Sequence, residues 1–304
     1  MKMDFFQPIT VLALLLLCNG SFAKTPPQGG EMAGADMKFE IKKGLAFSSE
    51  DEALTLDLYL PLGVTEKTPC ILVIQGGGFR PQDGKRFRPF AEDLAQNGFA
   101  AALISYRGVP RNNYLDSMSD CKAAVRFVRK VSGDYNIDSD RIGVMGRSAG
   151  GTLAILLAVS GGEAELEGKG GHAEYSSRVQ AAVGISGVYD FVGRFQDEDQ
   201  LKIQGNAAKK LESNGVWIGE PFDPQSRLWL QASAIQHLDA GDPPILLLHS
   251  KNDNIVPWLQ SQDFYRKMQQ KAVPGEMIVT DEGGHSGPQN SKELMVTFFE
   301  KTLK

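Results

Sequence analysis

The chain has 304 residues with 33 Gly, 15 Pro and 3 Cys, and is 42% hydrophobic and 23% charged. That balance excludes collagen-like, disordered and disulfide-dense classes. Lys and Arg number 32 against 37 Asp and Glu, a net charge of -5, so no positive excess exists for neutralising a phosphate backbone and nucleic-acid binding is disfavoured.

In chain order, residues 1–23 read as a leader that is removed. Lys2 gives a positive start, 9–18 is an apolar run, and Ser21-Phe22-Ala23 offers small residues where a signal peptidase reads. The mature chain then begins near Lys24 and is secreted or periplasmic; losing Lys2 and Asp4 leaves the charge at -5. Lipid anchoring through Cys18 is disfavoured, because Leu17 stands where a small residue is wanted. No later stretch reaches the roughly 18–20 apolar residues of a membrane helix. Residues 24–38, rich in Pro and Gly, read as a flexible lead-in, and 39–304 as one domain.

Beyond the lead-in, apolar segments of strand length alternate with helix-length amphipathic segments, which predicts an α/β domain with a mostly parallel sheet flanked by helices. Residues 54–60 alternate apolar and polar, as an edge strand with one wet face does. Residues 70–74, 100–104, 141–145, 179–185 and 245–248 are more continuously apolar and read as central strands. In 119–131, Cys121, Ala124, Val125, Val128 and Val131 line one side of a helix, with Lys122, Arg126, Arg129 and Lys130 elsewhere. The segment 149–159 is apolar nearly all round and predicts a helix buried against the sheet. Residues 161–171 are glycine-rich and charged, which a solvated loop explains. From 187 to 232 the alternation breaks into a polar insertion carrying Tyr189, Phe191, Phe195, Trp217, Phe222 and Trp229. It reads as a lid or pocket wall in preference to a surface excursion, since aromatics beside a site commonly line it. Cys70 and Cys121 lie inside apolar segments and read as free thiols in preference to a disulfide. No Cys/His cluster has zinc spacing.

Gly146-Arg147-Ser148-Ala149-Gly150 fits Gly-x-Ser-x-Gly, a pattern that is informative only between a strand and a helix. Both flank it here. A serine in so tight a turn is pushed out at the end of the sheet, next to the positive end of the following helix. A serine nucleophile needs a base, and in this architecture the partners follow in the order Ser, acid, His. Of His172, His237, His249 and His285, only His285 follows Asp253, an acid five residues beyond the apolar run ending at Leu248. His249 reads as a structural hydrogen-bonding residue, His172 and His237 as solvated or locally capped, Ser186 as structural, and Asp281 as a weaker substitute for Asp253. Gln75-Gly76-Gly77-Gly78-Phe79 follows a strand and offers close-approaching backbone N–H groups for an oxyanion, with Ala149 N–H as a further donor. No Lys-Ser/Thr pair follows these glycines, which disfavours a phosphate loop.

These motifs resemble the α/β-hydrolase superfamily, within it the bacterial esterase/lipase branch that includes hormone-sensitive-lipase-like and secreted feruloyl and acetyl-xylan esterases. The resemblance runs from about residue 54 to the C-terminus, through Asp138-Ser139-Asp140-Arg141-Ile142, the Ser148 elbow, Pro243-Pro244-Ile245, Val256-Pro257 and Gly284-His285. It implies Ser148 as nucleophile, His285 as general base and acid, Asp253 as orienting carboxylate, and Gly77, Gly78 and Ala149 as the oxyanion hole. The implied substrate is a small-molecule or polysaccharide-linked ester, and the chemistry needs neither cofactor nor metal. The family usually has His where Gln75 stands, and Arg147 is at a variable position, read here as lying along the surface in preference to meeting an acidic substrate group. A serine peptidase resembling the prolyl oligopeptidase group would need a propeller domain ahead of residue 54, and a binding protein on this scaffold would be expected to lack one of the three residues.

Overall fold

The computed structural model describes residues 38–81 and 83–304; the leader with Cys18, and the lead-in up to residue 37, lie outside the described residues. There the chain forms one sheet of β1 (Phe39–Ala46), β2 (Thr55–Pro61), β3 (Thr68–Ile74), β4 (Ala100–Ile104), β5 (Ile137–Arg147), β6 (Ala181–Ile185), β7 (Ile245–Ser250) and β8 (Gly275–Thr280). The order is β1-β2-β4-β3-β5-β6-β7-β8. The β1–β2 and β2–β4 pairs are antiparallel, and every neighbouring pair from β4 to β8 is parallel. Around it run α1 (Arg88–Gln96), α2 (Tyr114–Lys130), α3 (Ala149–Val159), α4 (Ala164–Glu167), α5 (Gly193–Gln196), α6 (Glu198–Ile203), α7 (Ala207–Ile218), α8 (Arg227–Gln231), α9 (Leu259–Gln270) and α10 (Ser291–Leu303).

The unbroken apolar runs follow from burial on both faces. Along β3, Cys70, Leu72 and Ile74 pack with residues of α2 and α3, whereas Ile71 and Val73 pack with residues of α1 and α10. A strand with two dry faces has no polar positions to alternate. Among the described residues no helix is long and apolar enough to cross a membrane. Cys70 and Cys121 are both buried and free, and burial pushes both thiols up from their ordinary range.

Three expectations are corrected. The strand expected over 54–60 is β2, which is not the edge: β1 pairs along its outer side. Asp57, one of the residues that made this strand look wet, accepts the Gly44 N–H at 2.9 Å, next to the irregularity in β1 between Lys42 and Leu45. The helix expected over 119–131 begins at Tyr114, because Asn113 caps it: Asn113 Oδ1 accepts the Leu115 N–H, and Asp116 accepts the Asn113 N–H in return. Third, 161–171 is not merely a solvated loop. It contains α4, and Glu167 receives Lys122 Nζ at 2.9 Å and Arg126 Nη1 at 2.8 Å from α2. Both cations are buried, so the side of α2 that reads as polar is roofed by this segment.

Glu167→Ala leaves two buried cations on α2 without their shared carboxylate. The expected loss is about 3 kcal/mol, near the low end for an interrupted buried ion pair because Glu167 keeps some contact with water. Urea unfolding measures it, and a midpoint equal to that of the parent protein contradicts it.

Candidate active site

The parallel strands are in matched register: Ile74 lies opposite Gly146, and Ile185 opposite Arg147 and Leu248, while Leu248 in turn faces Ile278. Loops leaving the C-terminal ends of β3, β5, β7 and β8 therefore meet along one edge of the sheet, where open α/β sheets bind ligands.

Ser148 is the single residue between β5 and α3. It holds φ 58° and ψ -125°, a conformation costing a residue with a Cβ on the order of 1–3 kcal/mol. Its N–H donates to the Ile185 carbonyl at 2.8 Å and its own carbonyl accepts from the Thr152 N–H at 2.9 Å. The turn closes only because two neighbours are glycine. A Cβ on Gly146 would lie 2.1 Å from the Gly150 carbonyl oxygen, and one on Gly150 would lie 2.1 Å from that of Ile74.

His285 stands in the short turn Gly284–Ser286 after β8. Ser148 Oγ donates to His285 Nε2 at 2.7 Å, and His285 Nδ1 donates to Asp253 Oδ2 at 2.8 Å. Asp253 is fully buried, and its other oxygen accepts the Ile255 and Val256 N–H groups at 2.8 and 3.1 Å. Burial alone would push this carboxyl up, but hydrogen bonds from His249 and His285 hold it well below the usual carboxylate range. Ser148, Asp253 and His285 are thus brought together, from three strand ends.

Of the remaining sequence candidates, His249 bonds Asp253 and the others sit elsewhere. His249 is buried, with Nε2 shared between Asp253 Oδ2 at 3.2 Å and the Val256 carbonyl at 3.1 Å, so Nε2 carries the hydrogen and Nδ1 accepts from Ser261 Oγ at 2.8 Å. It positions the carboxylate. His237 is held between Glu163 and the Gln231 carbonyl, and His172 lies near Lys130 and Phe127. Asp281 pairs with Lys251. Ser186 is buried, and its Oγ has no hydrogen-bond partner among the described residues.

Gly77 and Gly78, with φ of 130° and 63°, and Ala149 at the start of α3 border the space above Ser148. Gly76 passes so close to the elbow that a Cβ there would lie 2.4 Å from the Arg147 carbonyl oxygen. Gln75, where the resembled family has His, is buried and ties the loop down: its Oε1 accepts the Gly84 N–H at 3.0 Å, and its carbonyl accepts Tyr106 Oη. Two cavities open on Ser148. One of about 250 Å³ is lined by Gly78, Phe79, Thr152, Val188 and residues of α7. The other, of about 410 Å³, contains His285, Ile255, Phe87, Arg86 and Arg147. Val188, Arg194 and residues of α7, all from the 187–232 segment, contribute part of the wall of the smaller cavity, and the Trp217 ring is stacked 3.7 Å from that of Phe79.

Sequence reasoning missed several supporting groups. Arg194 is buried, donating to Gln204, Asn214 and the Ile255 carbonyl; burial lowers its pKa to about 10, against the pull of Asp253. Lys210 lines the same cavity, its pKa lowered to about 8 by burial and by Arg194. Asn252 accepts the Gly284 N–H at 2.7 Å and so links the Asp253 turn to the His285 turn. The signal for Asn252 was its place beside Asp253; nothing in the local pattern marked Arg194.

An eight-stranded, mostly parallel sheet with this elbow on its central strand is an α/β-hydrolase fold. Residues 56–268 match the family model described as BD-FAE, an α/β-hydrolase esterase family, and the chain belongs to that family. It is 31% identical over 210 residues to a probable carboxylic ester hydrolase, LipM, of Mycobacterium tuberculosis, covering 69% of this chain and 47% of that one. The chain spans about half the length of the curated relatives it matches. Among solved structures, a truncated carbohydrate esterase from gut microbiota superposes with a TM-score of 0.77 at 25% identity, covering 88% of this chain and 97% of that one. An acetyl ester-xyloside bifunctional hydrolase from Caldicellulosiruptor lactoaceticus gives 0.69 at 25% identity, over 90% and 98% of the two chains.

Gly146→Ala is expected to destabilise the protein by on the order of 3 kcal/mol, since the new methyl overlaps backbone that cannot rotate away. Thermal unfolding tests this; a variant that melts with the parent would show that the elbow tolerates a Cβ.

Proposed function

We propose that the chain is an exported serine carboxylic-ester hydrolase, acting through an acyl-serine intermediate on acetyl or feruloyl esters carried by polysaccharides. One observation carries the reading: the run of two hydrogen bonds from Ser148 Oγ through His285 to the buried Asp253, 2.7 and 2.8 Å long. The relatives named as carboxylic ester hydrolase and carbohydrate esterase favour esters over amides, and the acetyl ester-xyloside hydrolase favours an acyl group on a saccharide. Export rests on the leader pattern of residues 1–23.

In this reading Ser148 Oγ attacks the ester carbonyl while His285 Nε2 takes its proton. Asp253 keeps the imidazole in the tautomer with hydrogen on Nδ1 and stabilises the imidazolium that forms. Negative charge on the carbonyl oxygen is met by the N–H groups of Gly77, Gly78 and Ala149. The imidazolium then gives its proton to the departing alcohol oxygen, leaving acyl-Ser148. Water, deprotonated by the same imidazole, attacks the acyl carbon, and the acid departs as the serine regains its proton.

Ser148→Ala is expected to lower 4-nitrophenyl acetate turnover by about 10⁴-fold or more with an unchanged melting temperature, and Asp253→Asn by about 10³- to 10⁴-fold. Normal turnover by the serine variant rejects the assignment. A panel of acetyl, butyryl and feruloyl esters, acetylated xylan and peptide amides tests the substrate class; cleavage of amides alone would transfer the protein to the peptidases. N-terminal sequencing of exported protein is expected to start near Lys24, and an intact leader would contradict export by cleavage.

A further inference from the structure

The larger cavity beside Ser148 has an electrostatic property that ester hydrolysis does not require. Apart from His285, the charged side chains lining it are Arg86 and Arg147. Among the described residues neither takes part in an ion pair, although the chain as a whole carries -5. Arg147, read from the sequence as lying along the surface, has intermediate exposure. Its guanidinium is half-buried over the rings of Phe87 and Phe90, 5.2 and 5.8 Å from their centres, and makes no hydrogen bond to any described residue. Contact with aromatic faces satisfies none of the guanidinium N–H groups, which are left for a ligand. Burial, and then the neighbouring Arg86, lower the Arg147 pKa from its ordinary value, as expected of a cation lacking its counter-charge.

The position of this pair relative to the reacting atoms identifies the part of the substrate it meets. His285 Nε2 must deliver its proton to the leaving alcohol oxygen, so the leaving group lies on the His285 side of Ser148. The cavity holding His285, Arg86 and Arg147 is that side; the smaller cavity, lined by Ala149, Thr152 and Val188 and, farther along, by Arg194, Lys209 and Lys210 of the 187–232 segment, is left for the acyl group. We infer that Arg147, assisted by Arg86, binds a carboxylate on the alcohol half of the ester, so that the preferred substrate is an acylated sugar acid or a saccharide with a uronic acid next to the esterified residue. A planar carboxylate matches the fork of Arg147 with two parallel hydrogen bonds, and the exposed Arg86 adds charge without fixed geometry. The inference rests on the esterase reading above and deepens it.

The test compares a methyl O-acetyl-glucuronoside with its methyl ester, which has nearly the same shape and no charge, using 4-nitrophenyl acetate as the control for ester hydrolysis. The parent enzyme is expected to prefer the acid by about 10- to 100-fold in kcat/KM, mostly through KM, as for a charge-assisted bidentate contact. High salt should narrow the preference. Arg147→Leu should bring the ratio to within about twofold of unity, Arg147→Lys should restore part of it, and Arg86→Ala, an exposed change unlinked to folding, should reduce it partially. Because the readout is a ratio within one protein, a poorly folded variant does not imitate the effect. Equal kcat/KM for acid and methyl ester in a parent enzyme that turns over 4-nitrophenyl acetate overturns the inference alone. An unchanged ratio in Arg147→Leu also overturns it. A parent enzyme inert toward every ester instead overturns the esterase reading, and this assignment falls with it.

Discussion

The site depends on a carboxylate that has been taken out of water and kept charged. Asp253 is fully buried, yet two imidazoles and two backbone N–H groups donate to it. A buried carboxylate without such donors would take up a proton and stay neutral. Fully bonded, it orients His285, and His285 receives the Ser148 hydroxyl. His249 spans Ser261, Asp253 and the Val256 carbonyl, and Asn252 joins the two turns. The geometry at Ser148 is therefore held, through His285, by Asp253, His249 and Asn252, side chains with no hydrogen bond to the serine.

The second requirement is close backbone approach. At Ser148 the chain reverses from strand to helix within one residue, and Gly146 and Gly150 cross at distances that admit no side chain. Gly76 is pressed onto the same turn from the neighbouring strand, which brings the Gly77-Gly78 loop over the serine. Gln75 anchors that loop through the Gly84 N–H. The amide thus supplies a tether at the position where the resembled esterases have an imidazole.

Much of this was legible in the sequence, for identifiable reasons. Two-faced burial leaves long apolar runs, so the central strands stood out. The Gly-x-Ser-x-Gly turn and the order Ser, Asp, His pointed to residues far apart in the chain because each follows a strand, and parallel register brings strand ends together. What was hidden depends on contacts between distant segments. β1 reads as polar because it is an edge, and β2 was mistaken for the edge because its alternation says nothing of what pairs beyond it. Lys122 and Arg126 look solvated until Glu167 arrives from a loop some 40 residues away. Arg194 lies in an insertion with no periodicity to place it. Arg147 stands in the motif itself, but its environment is made by Phe87 and Phe90 on a different segment.

The central claim is that the Ser148 hydroxyl is made nucleophilic by His285 held on Asp253, and covalent capture tests it most directly. A fluorophosphonate is added to the folded protein, and the adduct is located by peptide mass mapping. The account expects one stoichiometric adduct on Ser148, formed far more slowly when Asp253 is Asn and absent when His285 is Ala. A protein that hydrolyses esters yet carries no adduct, or carries it on another residue, would contradict the account.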